Sequence, residues 1–80
     1  MRRLRIEEDS LDHDVWGNLI DVEVADEGEE LIVLEVAKKY VSRRHRVMHD
    51  GKPIGKTIAE RIRELKERGV KKRRRRGDRR

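Results

Sequence analysis

The acidic and basic residues of this chain are segregated along the sequence. Residues 1–37 contain 3 basic and 12 acidic residues, a net charge of −9, and no Lys or Arg occurs from Ile6 to Ala37. Residues 38–70 contain 11 basic and 4 acidic residues (+7), and residues 71–80 contain 8 and 1 (+7). A cationic run of this kind repels itself and has no apolar side chain to bury. We therefore predict one folded domain over residues 1–70 and a disordered basic tail over residues 71–80.

The size of the chain restricts it to one small core. A domain of 80 residues buries only about 60% of its unfolded surface. The absence of cysteine excludes disulfides, thiolate zinc sites and thiol nucleophiles. The longest apolar run, Leu31–Leu34, is far shorter than the ~18 residues of a membrane span, and the basic N-terminus precedes no apolar stretch. We expect a soluble cytoplasmic protein without membrane association.

The polar composition is typical of proteins from hot environments. The chain has no Gln and a single Asn, and its Arg residues outnumber Lys 15 to 7. Few thermolabile amides together with many ion-pairing residues are a feature of thermophilic proteins. This pattern predicts a thermophilic source and is silent about function.

Alternating apolar residues predict the strands. Ile20, Val22 and Val24 alternate with polar residues within Leu19–Ala25, which is the period of a half-buried strand. Arg46–Ile54 predicts a hairpin with an Asp-Gly turn and with Pro53 on an edge strand. Arg3–Ile6 alternates weakly and predicts a further edge strand, whereas Ser10–Trp16 fits a helical turn without settling the assignment.

The segment after Asp26–Glu29 has two interpretations. Leu31–Val36 is apolar on both faces, and its β-branched residues favour a strand that pairs with Leu19–Ala25 after a turn. Helical spacing also fits the apolar residues from Val33 to Met48, with acidic residues before them and arginines after them. We favour the strand and keep the helix as the alternative.

The C-terminal segment predicts an amphipathic helix over residues 57–68. Thr57 and Glu60 match a capping box, in which each side chain bonds the backbone N–H of the other residue. Ile58, Ile62 and Leu65 form an apolar stripe. The predicted fold is α+β: an antiparallel sheet of three or four strands packed by this one helix.

The alternative fold is a mostly helical, winged-helix-like domain. Residues 58–70 resemble the last helix of winged-helix DNA-binding domains, and the basic stretch would then form a wing. The segment departs from that pattern because Glu60, Glu64 and Glu67 occupy the exposed side, where a helix that reads a DNA groove avoids carboxylates.

The basic residues predict binding to nucleic acid. Phosphate-rich polymers are the natural partners of a run such as residues 71–80, and short arginine-rich extensions commonly fold into RNA grooves, so we favour RNA over DNA. With only Trp16 and Tyr40 as aromatics, stacking on bases is not expected. The predicted tail contacts are Lys71, Lys72, Arg73, Arg74, Arg75, Arg76, Arg79 and Arg80. The predicted secondary patch is Arg43, Arg44, Arg46, Lys52 and Lys56.

Catalytic, metal and cofactor sites are not predicted. His45 and His49 share a face at a spacing of four, but their neighbours are arginines and no carboxylate accompanies them. Gly51 to Thr57 ends in Gly-Lys-Thr, yet its glycines are one residue too close for a phosphate-binding loop. The start of the helix at Thr57 remains a spot where a phosphate could rest beside Lys52 and Lys56.

The acidic N-terminal half supports a second interpretation. Glu7–Asp14 and Asp26–Glu30 fit solvated loops, but they also fit a surface that docks on a basic protein or contacts the protein's own tail. The opposite charges of the two halves permit self-association as well. The alternative function is therefore a protein-interaction or self-assembling module.

Overall fold

The computed structural model describes residues 1–10 and 15–72, which follow the order β-β-α-β-β-α. The elements are β1 (Arg2–Ser10), β2 (Val15–Val24), α1 (Glu27–Lys38), β3 (His45–His49), β4 (Lys52–Pro53) and α2 (Ile58–Glu67). The four strands form one antiparallel sheet in the order β2-β1-β3-β4. The described part of the chain is thus α+β, with a four-stranded sheet and two helices instead of the one helix predicted.

Strand β1 lies inside the sheet, so its prediction as an edge strand is wrong. Leu4 pairs with Val22 of β2 and with His49 of β3, and Ile6 pairs with Ile20 and Val47. The sequence did not reveal this position, because only Leu4 and Ile6 are apolar here and the residues that alternate with them, Arg3, Arg5 and Glu7, are charged. Residues 11–14, which the helical turn considered for Ser10–Trp16 would include, lie outside the described residues, and Ser10 and Trp16 themselves belong to strands.

One face of the sheet is buried by the helices. Leu4, Ile6 and Val47 are fully buried, and they share a core with apolar residues of both helices. The helix residues in this core are Leu31, Leu34, Ala37, Ile58, Ile62 and Leu65. Because side chains alternate along a strand, Arg3 and Arg5 project from the opposite face, which we call the open sheet face.

Residues 31–36 are helical, so their prediction as a strand is wrong. The helical alternative holds only as far as Lys38, because Val47 and Met48, which it also included, lie in β3. The carboxylate of Asp26 accepts a hydrogen bond from the Glu29 N–H (3.0 Å), and the Glu29 carboxylate accepts one from the Ala25 N–H (2.7 Å). These bonds satisfy backbone donors at the helix start, where the sequence predicted a turn. Leu31 and Leu34 then face the core at helical spacing, and this burial outweighs β-propensity.

The prediction of the C-terminal helix is confirmed. Thr57 is the N-cap, and the reciprocal bonds with Glu60 measure 3.1 and 2.9 Å. After the helix, Gly69 has a φ of +83°, and the Val70 N–H bonds the Leu65 carbonyl at 3.0 Å. Glycine adopts that backbone conformation without steric cost, so it ends the helix.

The β3–β4 hairpin is confirmed, with Pro53 on the edge strand β4. Asp50 and Gly51 at its turn have φ values of +52° and +84°, as a type I′ turn requires. Within the described residues, neither helix has the length and apolarity needed to cross a membrane.

Candidate nucleic-acid interface

The basic tail begins beside the helices. Of its predicted contacts the structure describes Lys71 and Lys72, whereas Arg73, Arg74, Arg75, Arg76, Arg79 and Arg80 lie outside the described residues. The ammonium of Lys72 contacts Glu35 of α1 at 2.8 Å, and Lys66 of α2 contacts the same carboxylate at 3.1 Å. Hydrogen bonds from Lys72 and Lys66 lower the pKa of Glu35. The chain therefore enters the tail on the helical side of the molecule.

The predicted secondary patch contains an arginine–tryptophan cluster. The guanidinium carbon of Arg46 lies 4.3 Å from the centre of the Trp16 ring, and that of Arg44 lies 5.4 Å away. Arg46 also contacts Glu7 (2.6 Å), and Arg44 contacts Asp9 (3.5 Å). Both arginines thus have a carboxylate and an aromatic ring as partners, and these partners compete with a phosphate for the guanidinium groups.

The other members of the predicted patch differ in their surroundings. Arg43 is exposed in the loop before β3, and Lys52 is exposed on β4. The Lys56 ammonium, in contrast, contacts Glu64 at 2.7 Å, and this bond, together with one from Arg61, lowers the pKa of Glu64 to about 2. The structure does not bring the five residues into one cluster of free cations.

The N-terminus of α2 is occupied by the protein's own groups. The Ile58 N–H donates to His45 Nε2 at 3.0 Å, and the Glu60 N–H donates to the Thr57 hydroxyl. The acceptor role of Nε2 means that His45 carries its proton on Nδ1, which lies 3.2 Å from the Arg43 carbonyl oxygen. These backbone donors are therefore not available to a phosphate at the predicted spot.

Opposite charges on neighbouring strands neutralise the open sheet face. Arg3 contacts Asp21 at 2.7 Å, and Arg5 contacts Glu7 at 3.2 Å and Asp21 at 3.5 Å. The hydrogen bond from Arg46 lowers the pKa of the largely buried Glu7, and the bond from Arg3 lowers that of Asp21. The cations of this face are thus already paired with carboxylates.

A buried ion-pair network joins the helices to the sheet. Glu30 of α1 is fully buried and receives two hydrogen bonds from Arg61 of α2, at 2.8 and 3.0 Å. His49 Nε2 of β3 lies 2.8 Å from the same carboxylate. Burial raises the pKa of Glu30, but the bonds from Arg61 and His49 outweigh it and lower the pKa overall. This network positions α2 against α1 and is structural in character.

Within residues 1–10 and 15–72, six Lys and Arg side chains have no carboxylate within ion-pair distance. They are Lys38, Lys39, Arg43, Lys52, Arg63 and Lys71. Lys38, Lys39 and Arg63 line a shallow groove between the end of α1 and the outer side of α2. Sequence reasoning missed these three residues because Arg63 lies more than 20 positions after Lys38 and Lys39, and only the helical assignment of residues 27–38 brings them to one groove.

Histidine and carboxylate side chains do not form a metal centre in the described residues, where no group of three or more such side chains could hold an ion. His45 and His49 are occupied by the Ile58 N–H and by Glu30, respectively. No protein-family model matches the chain, and no curated protein or solved structure is significantly similar to it.

Proposed function

We propose that this protein binds nucleic acid, RNA in preference to DNA, and has no enzymatic activity. Its principal binding segment is the C-terminal tail of residues 71–80, which contains 8 basic residues and 1 acidic residue. Neutralisation of phosphates by such a segment releases counterions and provides affinity without base specificity. Arginine-rich segments that fold on binding fit the grooves and loops of RNA, which supports the preference for RNA.

The observation that carries this proposal is the pairing of charges within residues 1–72. Carboxylates of the folded body are in contact with arginines and lysines of the same body, as in Asp21–Arg3, Glu7–Arg46 and Glu30–Arg61. Glu35 is the carboxylate that contacts the described start of the tail. Because the carboxylates of these pairs already have partners, they compete weakly for the tail, and the tail's charge remains for an external polyanion.

The proposal is tested with the full chain and a fluorescein-labelled hairpin RNA. Fluorescence anisotropy of the unchanged protein should show an affinity that falls steeply between about 50 and 200 mM salt. Replacement of the six tail arginines (Arg73–76, Arg79 and Arg80) by Gln should weaken binding at least about 100-fold and flatten the salt dependence.

Two controls accompany this measurement. Replacement of the same six arginines by Lys keeps the charge and should retain most of the affinity, because the binding is directed at phosphates. A DNA hairpin of the same sequence should bind more weakly than the RNA. Equal affinity of the Gln variant and the unchanged protein would contradict the role of the tail.

The secondary patch of Arg43, Arg44, Arg46, Lys52 and Lys56 remains a prediction. Arg43 and Lys52 are exposed and available in the described structure, which supports their part in it. Arg44, Arg46 and Lys56 have carboxylate partners that a phosphate would have to replace.

A second candidate function is self-association or docking on a basic protein through the acidic half of the chain. Strand β2 is an edge strand, and its Val22 and Val36 of α1 are 39% and 47% exposed. A groove between β2 and α1 is lined by Val22, Val24, Ile32 and Val33 and by the carboxylate residues Glu23 and Glu29. Exposed apolar surface at an unpaired edge, rimmed by carboxylates, favours a protein partner.

Sedimentation velocity of the purified protein separates the two functions. A tight oligomer that ignores RNA and DNA, and that a Val36→Lys substitution dissociates, would support the interaction module. A monomer that sediments faster only when the hairpin RNA is present would support nucleic-acid binding instead.

A further inference from the structure

The groove between the helices presents exposed cations. Its walls are the C-terminal half of α1 and the outer side of α2, and its floor includes Ala59 and Ile62. Four cations line it: Lys38, Lys39, Arg63 and Lys66. The carboxylates along it are Glu35 and Glu67, so positive charge is in excess.

Glu35 does not cancel that excess, because two cations share its single charge. Lys66 contacts one of its oxygens at 3.1 Å and Lys72 contacts the other at 2.8 Å. Lys38, Lys39 and Arg63 have no carboxylate partner among the described residues. All three are exposed, so a phosphate reaches them without breaking an existing ion pair and without desolvating a buried group.

The groove is also continuous with the tail. The contact between Lys72 and Glu35 places the start of the tail on the α1 wall, next to Lys66. A polyanion bound to the tail is therefore delivered to this side of the molecule. Linked sites of this kind bind more tightly than either alone, because the first contact raises the effective concentration at the second.

From these observations we propose that the phosphate backbone of RNA lies along the α1–α2 groove, on Lys38, Lys39, Arg63 and Lys66, while the tail holds the adjoining segment. This inference rests on the proposed function and assigns the body's contact to the helical side. The part of the open sheet face where Arg3 and Arg5 are paired with carboxylates stays outside the interface.

Two triple variants of the full chain test the assignment. The groove variant is Lys38→Gln, Lys39→Gln, Arg63→Gln, and the matched control is Arg2→Gln, Arg3→Gln, Arg5→Gln, which removes the same charge from β1, outside both the groove and the secondary patch. With the labelled hairpin RNA, the groove variant should lose about tenfold or more in affinity, and its salt dependence should flatten by about 2 to 3 in log–log slope. The control should lose less than about threefold.

Acetylation of lysines provides a second measurement on the unchanged protein. Bound RNA should protect Lys38, Lys39 and Lys66 from an acetylating reagent in mass spectra more strongly than it protects Lys52 of the secondary patch. Equal losses for the two variants, or protection of Lys52 alone, would overturn the groove assignment and leave the proposed function intact. Failure of the unchanged protein to bind the RNA at low salt would overturn both.

Discussion

The cations on the two sides of this molecule differ in whether they contact a carboxylate. On the open sheet face Arg3, Arg5 and Arg46 contact carboxylates at 2.7, 3.2 and 2.6 Å. On the helical side Lys38, Lys39 and Arg63 have no such partner within the described residues. Strand register explains part of this set, because Arg5 is the register partner of Asp21 (3.5 Å) and Arg46 that of Glu7. Arg3 contacts Asp21 diagonally, because its own register partner is Glu23. Directly opposed residues lie about 5 Å apart, so opposite charges there meet as a consequence of the pairing.

The packing of two helices does not place opposite charges directly across from each other in this way. Residues on the two walls of a groove are separated by its width, and a cation there is paired only if a neighbouring side chain happens to reach it. Charge counted along a sequence is therefore a poor measure of the charge that a surface offers. The following predictions, ordered from the largest expected effect to the smallest, test the comparison between the two sides.

The largest effect is expected from Glu30→Gln, which breaks the network that holds the helices on the sheet. The substitution removes the buried carboxylate that accepts two bonds from Arg61 and leaves Arg61 only the partly exposed Glu64 and Glu27 as charged partners. The loss of one member of a buried ion pair costs about 3–5 kcal/mol. Urea denaturation measures the cost. Glu67→Gln on the exposed side of α2 is the control and should change stability by less than about 0.5 kcal/mol. A similar small cost for both variants would contradict the role of the network.

A smaller effect is expected from Glu7→Gln, which removes a carboxylate that serves both Arg5 and Arg46. Because Glu7 is largely buried and its bonds are charge-assisted, the free energy of unfolding should fall by about 1–3 kcal/mol. Glu23→Gln, whose contact with Arg3 is long (4.0 Å) and exposed, should leave the free energy of unfolding unchanged. Unchanged stability of the Glu7 variant would show that the face is not held by its ion pairs.

A pH-dependent effect is expected at Glu64, whose pKa is lowered from 4.5 to about 2 by bonds from Lys56 and Arg61. A carboxylate with a lowered folded-state pKa stabilises the protein above its unfolded value, and that stabilisation is lost as the pH falls through the folded value. Melting temperatures should therefore decline between pH 4.5 and about 2, and Glu64→Gln should decline less. Parallel declines of the two proteins would contradict this assignment.

The smallest effect is expected at Trp16, the single tryptophan of the chain. If RNA occupies the helical groove, its addition should leave the Trp16 emission nearly unchanged. Arg46→Gln removes the cation 4.3 Å from the ring and should shift the emission in the free protein, which shows that the probe is responsive. Strong quenching by RNA would place the nucleic acid on the sheet side.

Local signals in the sequence were sufficient for some elements. The Thr57–Glu60 capping box and Gly69 define α2 through bonds to the adjacent backbone, and Asp50-Gly51 defines a turn through its permitted φ values. The alternation of β2 over Leu19–Val24 was equally sufficient. Each of these features depends on residues a few positions apart, so it can be predicted without knowledge of the rest of the chain.

Other features depended on contacts that span the chain. The sequence by itself determined the charge segregation, the basic tail, α2 and the β3–β4 hairpin. Only the tertiary structure decided that residues 31–36 form a helix, since burial of Leu31 and Leu34 against the sheet overrides their β-branched neighbours. It also decided which cations are free: Arg46 meets Glu7 across 39 positions of sequence, whereas Lys38 and Arg63 meet no carboxylate in the described chain. Charge is a property of composition, but its availability to a partner depends on which residues the fold brings within contact.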